Sequence, residues 1–196
     1  MSANSWSVVV GASSTVLALA GVAIALIAYR SDRRRSRFER ACALHRDLTT
    51  GEVATARNVA GHFHYGGFTG SGTSPDVASG LHAYFLLLWS FQRLEAGRTA
   101  LVRDSLRPNG SIDSVVRYLD GLIASDVAEY ACALAIMRRK IAESSGISDW
   151  RSAAPFVRLL KALQKRGLVD PSYQPLVCLV GGCPCTCHQM AGPSRQ

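Results

Sequence analysis

The sequence predicts an all-α protein: one amino-terminal transmembrane helix followed by a cytosolic helical bundle. Three observations carry this. From Val8 to Tyr29 the chain holds no charged residue; beyond it, apolar residues recur every third or fourth position; and no useful stretch alternates with the period of two that a strand needs. The 22 residues of the first run would rise about 33 Å as a helix, enough for a hydrocarbon core of about 30 Å.

The flanks of that run set its expected orientation. Residues 1–7 carry no charged side chain, whereas Arg30, Arg33, Arg34, Arg35 and Arg37 crowd the other end. Cationic flanks are retained in the cytoplasm, so the amino terminus is expected outside and the main domain inside, at the cell membrane. The same arginines are positioned to meet anionic headgroups. A secretory signal would carry its charge before a shorter apolar core, the reverse of what stands here. Gly21 and Ala25 lie within a series of small residues at helical spacing, which predicts close packing with a second copy in the membrane.

Formal net charge is +8, but its distribution matters more than its size. Residues 30–46 hold seven Arg against Asp32 and Glu39; the remainder has 15 basic and 12 acidic residues. A juxtamembrane belt therefore accounts for most of the basicity, and no recognition motif argues for nucleic acid as a partner.

A basic juxtamembrane helix is expected over 30–48, with Phe38, Ala41, Leu44 and Leu48 at helical spacing. The bundle is assigned to 49–168. Thr49 to Glu52 reads as a turn, and Val53, Ala56, Val59 and Ala60 as a short amphipathic helix ending before His62. Residues 66–75, GGFTGSGTSP, read as a loop; the Lys of a phosphate-binding loop is missing. Ser74-Pro75-Asp76 then combines a capping hydroxyl, a first-turn Pro and an acid near the positive helix end. The helix it opens is expected to reach about Leu106. Its centre, Tyr84 to Trp89, is apolar on every face, which predicts the middle position in the bundle.

Pro108-Asn109-Gly110 marks a turn. Ile112, Val115, Val116, Leu119, Leu122, Ile123, Val127, Tyr130, Leu134, Met137 and Ile141 follow with a recurrence of three and four, with Gly146 placed to stop the helix. Pro155 is expected at the start of a last helix whose apolar face is Phe156, Val157, Leu159, Leu160 and Leu163 and whose end is Gly167. Residues 169–196 are a Cys-rich tail, expected to be irregular.

Asn109 to Asp113, the long helix to Arg138-Arg139, and Ile147-Ser-Asp-Trp150 with the leucine-rich helix after it resemble uncharacterised bacterial single-pass membrane proteins that have an amino-terminal anchor and a helical cytosolic domain. The resemblance covers about residues 83–163 and implies no activity. The Cys-rich tail lies outside it.

Chemistry is sparse. Cys183, Cys185, Cys187 and His188 could supply four donors to Zn or Cu(I), although zinc sites normally use Cys-x-x-Cys rather than Cys-x-Cys. Glu95 and Glu129 stand in otherwise apolar helices and are expected to form a buried ion pair with an arginine rather than a catalytic pair. No hydrolase, metalloprotease or kinase signature is present. The expectation is a non-enzymatic module that presents a surface to a cytosolic protein partner; the rival is a thiol-based metal or redox sensor.

Overall fold

Helices account for every regular element among the described residues: α1 (Ala3–Thr49), α2 (Gly51–Tyr65), α3 (Val77–Arg103), α4 (Ser114–Ser145) and α5 (Ala154–Lys165). This computed structural model describes the backbone of residues 3–65, 77–104, 114–146 and 151–173, and the side chains of α1 from residue 19 onward. The all-α expectation holds. The Gly-rich loop, Ser74-Pro75-Asp76, Pro108 to Gly110 and residues 174–196 of the cysteine tail lie outside the described residues.

The chain divides into two units, residues 1–40 and 41–196. In the first, α1 runs without a break through the apolar segment and the arginines, whose long side chains are good helix formers. Among the described residues no helix is long and apolar enough to cross a membrane. Only Leu19–Tyr29 of the apolar run has described side chains, about 16 Å of helix and half of a crossing.

In the second unit, the end of α1 already belongs to the bundle, with Ala41 and Leu48 buried. Its last carbonyls are met locally. The Thr49 hydroxyl reaches those of His45 and Arg46, and the Thr50 hydroxyl that of Arg46 at 2.9 Å. Gly51 then takes φ +62°, a conformation in which a Cβ would be strained, so the chain can turn and begin α2 at once. The turn expected at Thr49 to Glu52 is therefore one residue between two helices. Helix α2 does not stop before His62, as its amphipathic pattern suggested, but continues to Tyr65. His, Phe and Tyr are weak formers rather than breakers, the single Gly61 is tolerated within the helix, and the first pair of adjacent glycines is Gly66-Gly67.

Helix α3 packs against α2, α4 and α5, which gives it the middle position expected of it. Its buried side is Ala83, Tyr84, Leu87, Leu88, Phe91, Leu94 and Leu101. The expectation that it is apolar because it is covered all round needs correction, since Trp89 is 56 % exposed and Phe85 and Leu86 are half-buried. The fully covered turns belong to α4, where every residue from Tyr130 to Met137 is buried. Ala131, Ala133 and Ala135 make this possible, because small side chains let neighbouring elements approach on all sides.

Helix α5 starts at Ala154 with Pro155 in its first turn, where no intrahelical N–H is lost. It ends on Gly167 at φ +68°: the Leu168 amide reaches back to the Leu163 carbonyl and the Gly167 amide to that of Gln164. This pair of bonds is a Schellman ending. Packed structure continues past it. Val169 is buried, and the Gln164 side chain holds the carbonyls of Asp170 and Tyr173. The Ser172 hydroxyl and amide both donate to Asp170, which holds that exposed carboxyl below its ordinary value.

Candidate interaction surface

A buried carboxylate organises the bundle. Asp120 on α4 is fully buried and receives a two-pronged contact from Arg98 on α3, Nε to Oδ1 at 2.7 Å and Nη2 to Oδ2 at 2.8 Å. Arg166, at the end of α5, donates to Oδ2 from the other side. One acid thus ties three helices through the planar forks that suit guanidinium to carboxylate. Both arginines are held below their ordinary pKa, first by burial; for Arg166 the neighbouring Arg98 and Arg117 add to it, whereas Glu95 opposes it at Arg98.

A second node joins α2 to α4. Arg57 donates to Asp126 at 3.0 Å and lies 5.8 Å from the centre of the Tyr130 ring, while His45 of α1 stands 4.0 Å from the same carboxylate. Burial pushes the Tyr130 hydroxyl well above its ordinary value; Arg57 pulls the other way, and the acids Glu129 and Asp126 add to the rise.

Glu95 finds an arginine, though not one of its near neighbours in sequence and not in the interior. Glu95 meets Arg158 of α5 at 3.2 Å, and Glu129 is exposed on α4. Sequence reasoning passed over Asp120 although a signal was present. Val116, Asp120, Ile123 and Val127 fall at intervals of four, three and four, so an acid stands within the apolar stripe itself. An acid there must be paired.

Two features of the bundle surface remain. Between α2 and α3 lies a groove of about 280 Å³ whose floor is Ala56, Val59, Ala83 and Leu86 and whose rim carries Glu52 and His82. Beside it, α3 exposes Trp89, with the Phe85 ring 6.2 Å away and tilted by 33°. The signal for this outer side was Gln92 and Arg93, three and four residues past Trp89, which make that stripe half polar.

Of the residues singled out from sequence, Arg30, Arg33, Arg34 and Arg35 are exposed on α1 and Arg37 is half-buried. Arg35 pairs with Glu39 at 2.9 Å, and Arg34 lies 5.8 Å from the Phe38 ring centre. Gly21 and Ala25 are exposed, and a Cβ at Gly21 would meet nothing within 4 Å. Among the described residues no three His, Cys, Asp or Glu cluster as metal ligands. Cys183, Cys185, Cys187 and His188 lie outside them.

No protein-family model, curated protein or solved structure matches the chain.

Proposed function

We propose that this protein is a membrane-anchored, non-enzymatic helical module that presents an interaction surface to a protein partner at the inner face of the cell membrane. One observation carries the proposal. Along α1, Leu19, Val22, Ile24, Leu26, Ile27 and Tyr29 are each 50–68 % exposed, and the rest of the circumference is exposed Gly21 and alanines, so no side of this stretch is polar. A helix apolar on every side has no favourable arrangement in water and finds its solvent in hydrocarbon. The uncharged sequence from Val8 extends the same character to a full crossing.

The acids of the bundle support an architectural rather than a catalytic reading. Asp120, Asp126 and Glu95 are each paired with an arginine of another helix, so their carboxylate oxygens join elements of the bundle to one another.

Alkaline carbonate extraction of membranes from cells making the full chain, tagged at its carboxyl end, tests the anchor. The chain is expected to stay with the membrane and the tag to resist protease added to intact cells. Release by carbonate overturns the anchor, and digestion of the tag overturns its orientation. The thiol-sensor reading predicts instead that zinc or copper co-purifies with the chain and is lost on substituting Cys183, Cys185 and Cys187 by Ser.

A further inference from the structure

Three arginines meet over one carboxylate where α3, α4 and α5 come together. Asp120 is fully buried, and the side chains of Arg98 and Arg166 bonded to it are only 12 % and 17 % exposed. Arg117 stands on α4 about one turn before Asp120 and is exposed. Burial first, then the charges of Arg98 and Arg117, hold Arg166 below its ordinary pKa, so both neighbours lie close enough for their charge to be felt there. Glu95 also acts on Arg98, but it carries an arginine of its own, Arg158. With every one of these groups included, four guanidiniums face two carboxylates, a surplus of two positive charges. A lysine in such a place could shed its proton; arginine does not. The surplus is therefore fixed, and charge partly withdrawn from water costs free energy until an opposite charge meets it. Among the described residues, Arg166 donates from Nη1 alone and no acid bonds to Arg117, so both forks keep donors to offer.

We infer that this corner of the bundle binds a phosphate group, as inorganic phosphate or a phosphomonoester, held by Arg166 and Arg117 beside the pair of Arg98 and Asp120. Charge and shape both select that class. Two charges are in surplus, and a phosphate monoester carries about −1.5 to −2 at pH 7, where a carboxylate would meet only one of them. Phosphate oxygens also accept from the parallel N–H groups of a guanidinium, so two planar forks fix the group in one geometry. Nothing in this arrangement depends on α1 crossing a membrane.

Calorimetric titration of the full chain in detergent with inorganic phosphate, at constant ionic strength, is the test. Saturation at one phosphate per chain is expected, and Arg117→Gln is expected to weaken it at least about tenfold, the loss that a charge-assisted hydrogen bond entails. Arg139→Gln makes the same change of charge about 33 Å further along α4 and is expected to leave the affinity within about twofold. Both side chains are exposed, so helical circular dichroism and the unfolding midpoint without phosphate are expected to stay unchanged in both variants. With phosphate, the midpoint is expected to rise in the parent and in Arg139→Gln but not in Arg117→Gln. Vesicles of phosphatidylcholine with and without phosphatidic acid separate the two sources of the group. A midpoint raised by phosphatidic acid through Arg117, without affinity for free phosphate, assigns the site to a lipid headgroup; affinity for free phosphate assigns it to a soluble ligand. No effect of either form that depends on Arg117 overturns the inference. So does phosphate binding weakened equally by Arg117→Gln and Arg139→Gln, or matched by chloride at the same ionic strength, which is the screening of a basic surface rather than a site.

Discussion

Two apolar runs in this chain meet opposite ends. In α1, the side chains from Leu19 to Tyr29 stand 50–68 % exposed wherever the residue is large. In α3, Tyr84, Leu87, Leu88 and Phe91 are 0–2 % exposed. Leucine and its neighbours fill both, so composition alone does not separate them. The difference lies in length and in what stands alongside. The α3 run is short, is followed at once by Gln92, Arg93 and Glu95, and is packed by three helices. The α1 run is long and uncharged, and the only chemistry adjoining it is a belt of arginine. Three neighbouring helices cover the apolar side chains of α3, whereas those of α1 from Leu19 to Tyr29 stand open.

The largest expected effect tests what keeps the α3 run covered. Asp120→Ala leaves Arg98 and Arg166 facing each other without the acid, and breaking a buried pair in this way costs about 3–5 kcal/mol. Urea unfolding is expected to show that loss together with increased binding of a hydrophobic dye, as α3, α4 and α5 separate. A midpoint within experimental scatter of the unsubstituted chain would mean that apolar packing alone holds them.

A matched pair of substitutions sharpens the contrast. Leu88→Ala removes a side chain that is 1 % exposed and is expected to cost the bundle about 2–5 kcal/mol through lost transfer energy and the cavity left behind. Leu26→Ala makes the same chemical change at a side chain that is 50 % exposed, and bundle unfolding is expected to move by no more than about 0.5 kcal/mol. Comparable losses at both positions would show that α1 is packed against protein after all, which would remove the observation on which the anchor rests.

How far the fold could be read from the sequence follows from which signals are local. Proline and glycine act on their own backbone, so Gly146, Pro155 and Gly167 fall at helix ends as expected. The apolar stripe of α4 was equally plain, because one helix face repeats its demand over eight turns. What escaped was relational. The burial of α4 from Tyr130 to Met137 depends on how closely other elements approach its alanines, and the exposure of Trp89 on which side of α3 the other described helices leave uncovered. Asp120 was the costliest omission: its position in the stripe was visible, but its partners lie 22 and 46 residues away on other helices. Glu95 does pair with an arginine, but with Arg158 of α5 rather than Arg93, Arg98 or Arg117, and at the surface rather than in the interior, because which side chains meet is decided by how the helices are rotated.

Gly97 probes how closely α1 can end against α3. A Cβ built there would lie 2.6 Å from Cδ2 of Leu44, a contact that must be relieved by moving the leucine. Gly97→Ala sets a gain in helix propensity of about 1 kcal/mol against that displacement, so the two nearly cancel. Gly97→Val adds further bulk at the same point and is expected to cost about 1–3 kcal/mol. If both variants are as stable as the parent, Leu44 is not seated on α3 and the end of α1 is free of the bundle.

The smallest effect concerns Tyr130, which is 3 % exposed in the bundle. Burial raises its pKa from the ordinary 10.0. In the unfolded chain the hydroxyl ionises near its ordinary value, while in the folded chain it stays protonated to higher pH. The unfolded state therefore binds fewer protons above about pH 10, and the stability this group contributes, complete below that point, falls as the solution becomes more alkaline. Tyr130→Phe removes the titration. The difference in unfolding free energy between parent and variant is expected to be constant from neutral pH to about pH 9.5 and to shift against the parent by about 1 kcal/mol at about pH 11. A flat difference across that interval would show that water reaches the hydroxyl in the folded chain, and with it the turns of α4 that are covered on every side.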